Sequence, residues 1–213
     1  MKRLLPVALL ALLGFIFARA AEPQTQSLFD GKSLAGWVPS NFEPPGEVKV
    51  VPAFKGDRAA IVIEPGTPFS GITWTGRDAL PRTNYELSLE AMRVDGFDFF
   101  CALTFPIGDS AATFVMGGWS SMVVGLSSIN GADASENETT AGKEFADGKW
   151  YKVRVRVTDK KVEAWIDGEQ FVDVEREGRK FSLRAGDIDR SLPLGIATYM
   201  TKGAVRDITL KRL

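Results

Sequence analysis

The 213 residues carry 26 Lys and Arg against 27 Asp and Glu, a formal charge of −1, and 45% of them are hydrophobic. So even a balance leaves no basic footprint for nucleic acid or for an anionic membrane surface. The chain has no histidine, which excludes Ser-His-Asp and Cys-His nucleophile systems and histidine-ligated metal centres. Chemistry on this chain has to run on carboxylates, Lys, Arg, Tyr or an oxygen-ligated metal.

The chain opens with Lys2 and Arg3, an apolar run from Leu4 to Phe17, and then Ala18-Arg19-Ala20, the small-x-small pattern that signal peptidase reads. The run is too short to span a bilayer, and no cysteine follows it to carry a lipid anchor. Residues 1–20 are therefore predicted to be a signal peptide cleaved near Ala20, leaving a secreted or periplasmic protein. Its loss removes Lys2, Arg3 and Arg19 but no acid, so the exported chain is the more acidic. Residues 21–213 fit a single domain, large enough to bury a core without disulfides. None can form internally, because Cys101 is the only cysteine. Its setting, Phe99-Phe100-Cys101-Ala102-Leu103, predicts an inert core thiol.

From Ser27 to Trp37 the chain reads SLFDGKSLAGW, with a turn at Asp30-Gly31. Pro and Gly at 44–46 and 65–66 bracket short strands predicted at 47–51 and 59–63, and a third follows at 71–75 with Trp74. Residues 85–93 alternate: Tyr85, Leu87, Leu89 and Ala91 on one side, Glu86, Ser88, Glu90 and Met92 on the other. This is the period of a half-buried strand. Tyr151, Val153, Val155 and Val157 alternate in the same way with Lys152, Arg154, Arg156 and Thr158, which places the basic residues on a solvated face. Asp167-Gly168 predicts a two-residue hairpin turn. Strands at 194–200 and 205–210 complete the set, and only 183–190 suits a short helical turn. Many short strands with frequent turns and no βαβ rhythm predict an all-β fold, an antiparallel jelly-roll sandwich of two sheets.

The stretch from Phe97 to Thr140 stands apart. It begins as an apolar strand, passes through Gly117-Gly118-Trp119, and ends in a run of small polar and acidic residues from Asn130. Polar loops on a rigid scaffold are where binding residues gather. Trp119, Ser120, Asp133, Glu136 and Asn137 are candidate ligand contacts here; the alternative is a long solvated hairpin with a polar tip. Asp133, Glu136 and Glu138 could also ligate a divalent cation such as Ca²⁺ through oxygen alone, although the regular Asp-x-Asp-x-Asp-Gly spacing is missing.

Four landmarks resemble one family. LFDGKSLAGW, NYELSLEAMR, DGKWYKVRVRVTDKKVEAWIDGEQFVDVE and the terminal GAVRDITLKRL are similar in order and content to the DUF1080 or 3-keto-disaccharide hydrolase domain. The similarity covers about residues 27–213. It implies a concanavalin A-like or laminin-G-like sandwich that acts on carbohydrate outside the cytoplasm. The pattern departs after NYELSLEAMR, where Asp95-Gly96-Phe97-Asp98-Phe99-Phe100 replaces the family's Asn-Ser-Gly strand. It departs again before the last strand, where Gly195-Ile196-Ala197-Thr198-Tyr199 holds no histidine.

The chemistry this family implies is abstraction of the acidic C2 proton of a 3-keto sugar, loss of the C1 substituent, and addition of water. It needs a base and donors for the enolate charge. Glu90 and Asp98 are the candidate bases, each weighed against an ordinary surface carboxylate on a strand. A hairpin with Gly96 in a bulge would set Met92 opposite Asp98 and Glu90 opposite Phe100. That would bring the two carboxylates together beside an aromatic ring. Trp74, Phe100 and Trp119 are the candidate stacking surfaces for a sugar. Two other readings stay open: a sugar-binding module without turnover, and a structural or adhesion domain.

Overall fold

Short amphipathic strands can satisfy their backbone groups only by pairing, and can bury one face only by stacking sheet on sheet. The computed structural model describes residues 25–76 and 80–213; the predicted signal peptide and its cleavage point lie outside the described residues. The strands in chain order are β1 (Thr25–Ser27), β2 (Trp37–Pro39), β3 (Val48–Val51), β4 (Ala60–Ile63), β5 (Phe69–Trp74), β6 (Tyr85–Asp95), β7 (Cys101–Ile107) and β8 (Ser110–Gly117). They continue with β9 (Val123–Ser127), β10 (Ala141–Gly142), β11 (Trp150–Val157), β12 (Lys161–Ile166), β13 (Glu169–Glu175), β14 (Gly195–Tyr199) and β15 (Lys202–Arg212).

Sheet one runs β13-β12-β11-β6-β15-β4-β3, with β1 added alongside β15; sheet two runs β10-β9-β8-β7-β14-β5-β2. Every pairing is antiparallel, and the result is the jelly-roll sandwich expected from the sequence. Tyr85, Leu87, Leu89 and Ala91 of β6 and Tyr151, Val153, Val155 and Val157 of β11 all lie in the core, as their alternation predicts. The Asp167-Gly168 hairpin forms with φ of 52° and 86°, the double left-handed turn that matches strand twist. In the opening landmark, the Asp30 carboxylate accepts the Lys32 and Ser33 N–H groups at 2.8 Å each. The Trp37 indole N–H donates to the Leu28 carbonyl at 2.7 Å, closing the loop on itself. The helical turn predicted at 183–190 is a 3₁₀ turn at Asp187–Ser191.

The β6–β7 connection departs from expectation. The two strands do not form a hairpin: β6 pairs with β11 and β15 in sheet one, and β7 pairs with β8 and β14 in sheet two. Residues 96–100 carry the chain across the sandwich, a gap of about 10 Å between sheets. Both strands bury an apolar face in the same core, from opposite sides. A two-residue period identifies the buried face but not whether two strands lie side by side or face to face, and here they stack.

Cys101 is fully buried, and burial pushes its thiol up to about 12. The native protein is therefore expected to ignore a neutral thiol reagent such as Ellman's, and to titrate one thiol only after unfolding. Rapid labelling under native conditions would contradict this placement.

Candidate functional site

The outer face of sheet two is built from small side chains. Ala102 on β7 and Ala197 on β14 lie there under Phe42 and Ile188, and Thr113 and Ser127 sit opposite each other on β8 and β9. Such a face leaves depth that loops must fill. The segment after β13 crosses over it, fastened where Ser128 and Ser182 exchange backbone hydrogen bonds of 2.6 and 3.1 Å. This cover explains why all seven residues of β7 are buried although only alternate ones face the core.

Between this strap and the strands opens a cavity of about 320 Å³, lined among others by Phe69, Phe99, Thr113, Trp119, Ser127, Arg184, Asp187 and Tyr199. Its size is at the lower end of small-molecule sites (~300–1,000 Å³). One wall is aromatic: Tyr199 meets Phe69 at 5.1 Å and Phe99 at 5.6 Å between ring centroids, and Phe42 stacks behind Phe69 at 5.2 Å. Across the mouth, the Arg184 guanidinium lies 5.5 Å from the Trp119 ring centroid. A smaller recess at the same mouth joins Asp98 to Phe99, Trp119, Arg184 and Tyr199.

The Gly117-Gly118 pair explains how Trp119 reaches this mouth. Gly117 has φ of 76°, and a Cβ on Gly118 would meet Val115 Cγ1 at 2.9 Å, so neither position suits a side chain. Trp119, Ser120 and Ser121 follow with φ of 46°, 65° and 86°, a left-handed run that L-residues rarely adopt. The surroundings hold it in place. Arg93, 8% exposed, donates to Ser121 Oγ at 2.9 Å and to Asp147 at 2.5 Å, and Ser121 Oγ donates to the Phe97 carbonyl at 2.5 Å.

Asp98 sits where the chain crosses between sheets. Its N–H donates to Thr201 Oγ1 at 3.1 Å. Its carboxylate accepts the Phe99 N–H at 2.8 Å through Oδ1 and the Ser120 N–H at 3.3 Å through Oδ2. Both donors are backbone amides, and among the described residues no ion pair cancels the charge of this carboxylate at the mouth.

The other predicted residues scatter. Glu90 lies on the outer face of sheet one, opposite Lys152 and Arg206, and accepts from Arg206 at 2.7 Å and Arg58 at 3.2 Å. It belongs to a charge ladder on the other side of the sandwich from Asp98, so the expected carboxylate pair does not form. Phe100 points inward, fully buried against Phe145 at 5.0 Å, and offers no surface for stacking. Trp74 packs edge-on against Trp37 at 5.3 Å and donates to the Gly76 carbonyl at 3.1 Å, at the rim of the core and outside the cavity lining. Trp119 does stand at the mouth, and Ser120 next to it contributes its backbone N–H to Asp98.

In the polar loop, the Asn137 amide donates to the carbonyls of Leu126, Ala132 and Asp133 at 2.7, 3.1 and 2.8 Å and accepts from Thr139. It is the hub of the loop's own folding, with no donor left for a ligand. Asp133 accepts the Ser135 N–H and hydroxyl through Oδ1 and holds Arg184 at 3.3 Å through Oδ2, so it reaches the cavity by orienting that arginine. The Arg179 fork grips Glu138 and holds its carboxyl below the usual range; Glu136 is exposed. Among the described residues no three His, Cys, Asp or Glu side chains gather as a metal set. With Asp133 and Glu138 directed to arginines, EDTA is expected to leave the melting temperature unchanged. A Ca²⁺-restored rise of several degrees would show a cation held by this loop.

Arg184, Asp187, Tyr199 and Ser127 had no signal in the sequence reading. Arg184 and Asp187 lie in a stretch without strand alternation. Tyr199 and Ser127 look like ordinary strand residues until the strap closes over their face.

Comparison with known proteins follows the architecture. A family model described as the 3-keto-alpha-glucoside-1,2-lyase-like domain matches residues 24–211, and no curated protein matches the sequence. Among solved structures, a Parabacteroides distasonis protein described as a candidate glycosyl hydrolase aligns with TM-score 0.54 at 14% identity, covering 89% of this chain and 94% of its own. The carbohydrate esterase of Shiga toxin-encoding bacteriophage phi24B aligns at 0.56 and 13% identity, over 89% and 99% of the two chains. Domain 4 of the extracellular arabinanase AbnA from Geobacillus stearothermophilus, solved with arabinotriose, aligns at 0.51 and 13% identity, over 83% and 82%. At these identities the likeness is one of fold.

Proposed function

Since this chain belongs to the 3-keto-alpha-glucoside-1,2-lyase-like domain family, we propose that it is an exported carbohydrate-active enzyme that opens the glycosidic bond of 3-keto-glucosides from the outer-face cavity of sheet two. Asp98 carries the reading: it is a carboxylate without an ion pair among the described residues, held by two backbone amides at the mouth of an aromatic-walled cavity. In this scheme Asp98 takes the proton from C2, which the neighbouring ketone acidifies, and the electron pair moves into the enolate. Arg184, oriented by Asp133 at 3.3 Å, stands at the same mouth to offset that charge. Collapse of the enolate breaks the C1–O bond, and the leaving alkoxide takes the proton that Asp98 removed, which restores the base. Water adding at C1 of the enone yields the free 3-keto sugar; without that step the reaction ends as a lyase.

The alternative of a sugar-binding module draws on one observation, the lack of any histidine in the chain. Incubating the full exported chain with methyl 3-keto-α-glucoside, and following methanol release and enone absorbance, separates the two. Enzyme-dependent methanol release supports catalysis. Saturable binding without release would leave a binding module, and neither binding nor release would remove the sugar reading altogether.

A further inference from the structure

Ser127 ends β9 and is one of the residues that line the outer-face cavity. The residue is 3% exposed, and among the described residues its Oγ has no hydrogen-bond partner. Its neighbours on the same face are satisfied: Thr113, directly across on β8, shares a 2.8 Å hydrogen bond with Thr104 on β7. Ser191 and Thr198 also have unpaired buried hydroxyls, but neither lines the cavity. Leaving a buried hydroxyl unpaired is costly, which is why buried polar groups are normally satisfied. An exception at a residue that lines the same cavity as Arg184, Trp119 and Tyr199 points to a partner from outside the chain.

We propose that the Ser127 hydroxyl is a specificity-determining contact, reading one oxygen of the sugar ring at the floor of the cavity while Asp98 acts at its mouth. The proposal rests on the carbohydrate reading of this cavity. The ligand class follows from the lining. A ring with an apolar face suits the aromatic wall, and a hydroxyl or keto oxygen at its inner end suits a lone Oγ that can both donate and accept.

Calorimetric titration of the wild-type protein and of Ser127→Ala with methyl α-D-glucoside and its 2-, 3-, 4- and 6-deoxy forms tests this. These sugars lack the ketone that acidifies C2–H, so they bind without eliminating. The wild type should lose about 3–10-fold in affinity for one deoxy form, the value of one neutral hydrogen bond. Ser127→Ala should lose the same factor on the parent glucoside and nothing further on that one analogue, the signature of a direct pair. Its melting temperature should be equal or higher, since no protein hydrogen bond is removed. Binding of the whole series by both proteins within about twofold would overturn the Ser127 contact, as would a lowered melting temperature accompanying the affinity loss. A wild type that binds none of the sugars would overturn both this contact and the sugar reading beneath it. Loss or retention of turnover in an Asp98 variant bears on the chemistry alone.

Discussion

Asp98→Asn should lower turnover of methyl 3-keto-α-glucoside by at least about a hundredfold, within the ~10²–10⁴ range that a positioned general base contributes. Asparagine keeps one oxygen to accept the shorter Phe99 N–H contact and gives up only the 3.3 Å contact from Ser120, which its NH2 cannot accept, so the crossing segment keeps its main tie. What disappears is the capacity to take a proton. The melting temperature and the affinity for methyl α-glucoside should therefore change little while kcat falls. Glu90→Gln should do the reverse. Its Oε2 accepts from Arg206 and Arg58, and Arg206, whose side chain is 5% exposed, keeps Asp57 at 2.6 Å. Losing one charged partner of a guanidinium that retains another should cost about 1–2 kcal/mol, with turnover within about threefold of wild type. An active Asp98→Asn protein, or an inactive but fully stable Glu90→Gln protein, would move the chemistry to the outer face of sheet one.

The sandwich was legible because its strands obey simple periods. In Tyr85–Ala91 and Tyr151–Val157 each buried residue alternates with a polar one, and Asp167-Gly168 has the side chains its turn requires. The site was legible only where it lay on a marked loop, at Trp119 and Ser120, whose Gly-Gly approach signals unusual backbone. Asp98 lies on the crossing between sheets and not opposite Met92 in a hairpin, so local alternation does not reveal its surroundings. A carboxylate's value depends on what stands against it in space, and the residues that separate Glu90 from Asp98 in role come from distant strands. Arg206 neutralises Glu90 from β15, whereas the Asp98 carboxylate accepts from the amides of Phe99 and Ser120. Ser127 and Tyr199 were hidden for a related reason. Alternation assigns them to the outer face of a sheet, and nothing local tells that 181–193 folds over that face and converts it into a cavity.

Phe100→Ala should be the most destabilising of the changes considered, at about 3–5 kcal/mol for deletion of a fully buried aromatic ring. The ring is wholly buried and contacts Phe145 at 5.0 Å and Tyr151 at 6.1 Å, which meet each other at 5.0 Å. These three rings join sheet two to sheet one at the point where the chain changes sheets. The backbone is as closely packed as the ring, since a Cβ on Gly203 of β15 would approach the Phe100 carbonyl oxygen to 2.8 Å. The site can therefore collapse little around a missing ring, which places the cost toward the upper end. For a domain of this size each kcal/mol lowers the melting temperature by about 2–4 °C, so a fall of roughly 6–20 °C is expected. The urea midpoint should drop with an unchanged m-value. Below its melting temperature the variant should still bind methyl α-glucoside, because the ring faces the core and the cavity lies on the opposite side of β7. A Phe100→Ala protein of normal stability that no longer binds sugar would place the ring in the cavity and refute the inward orientation on which the site's architecture rests.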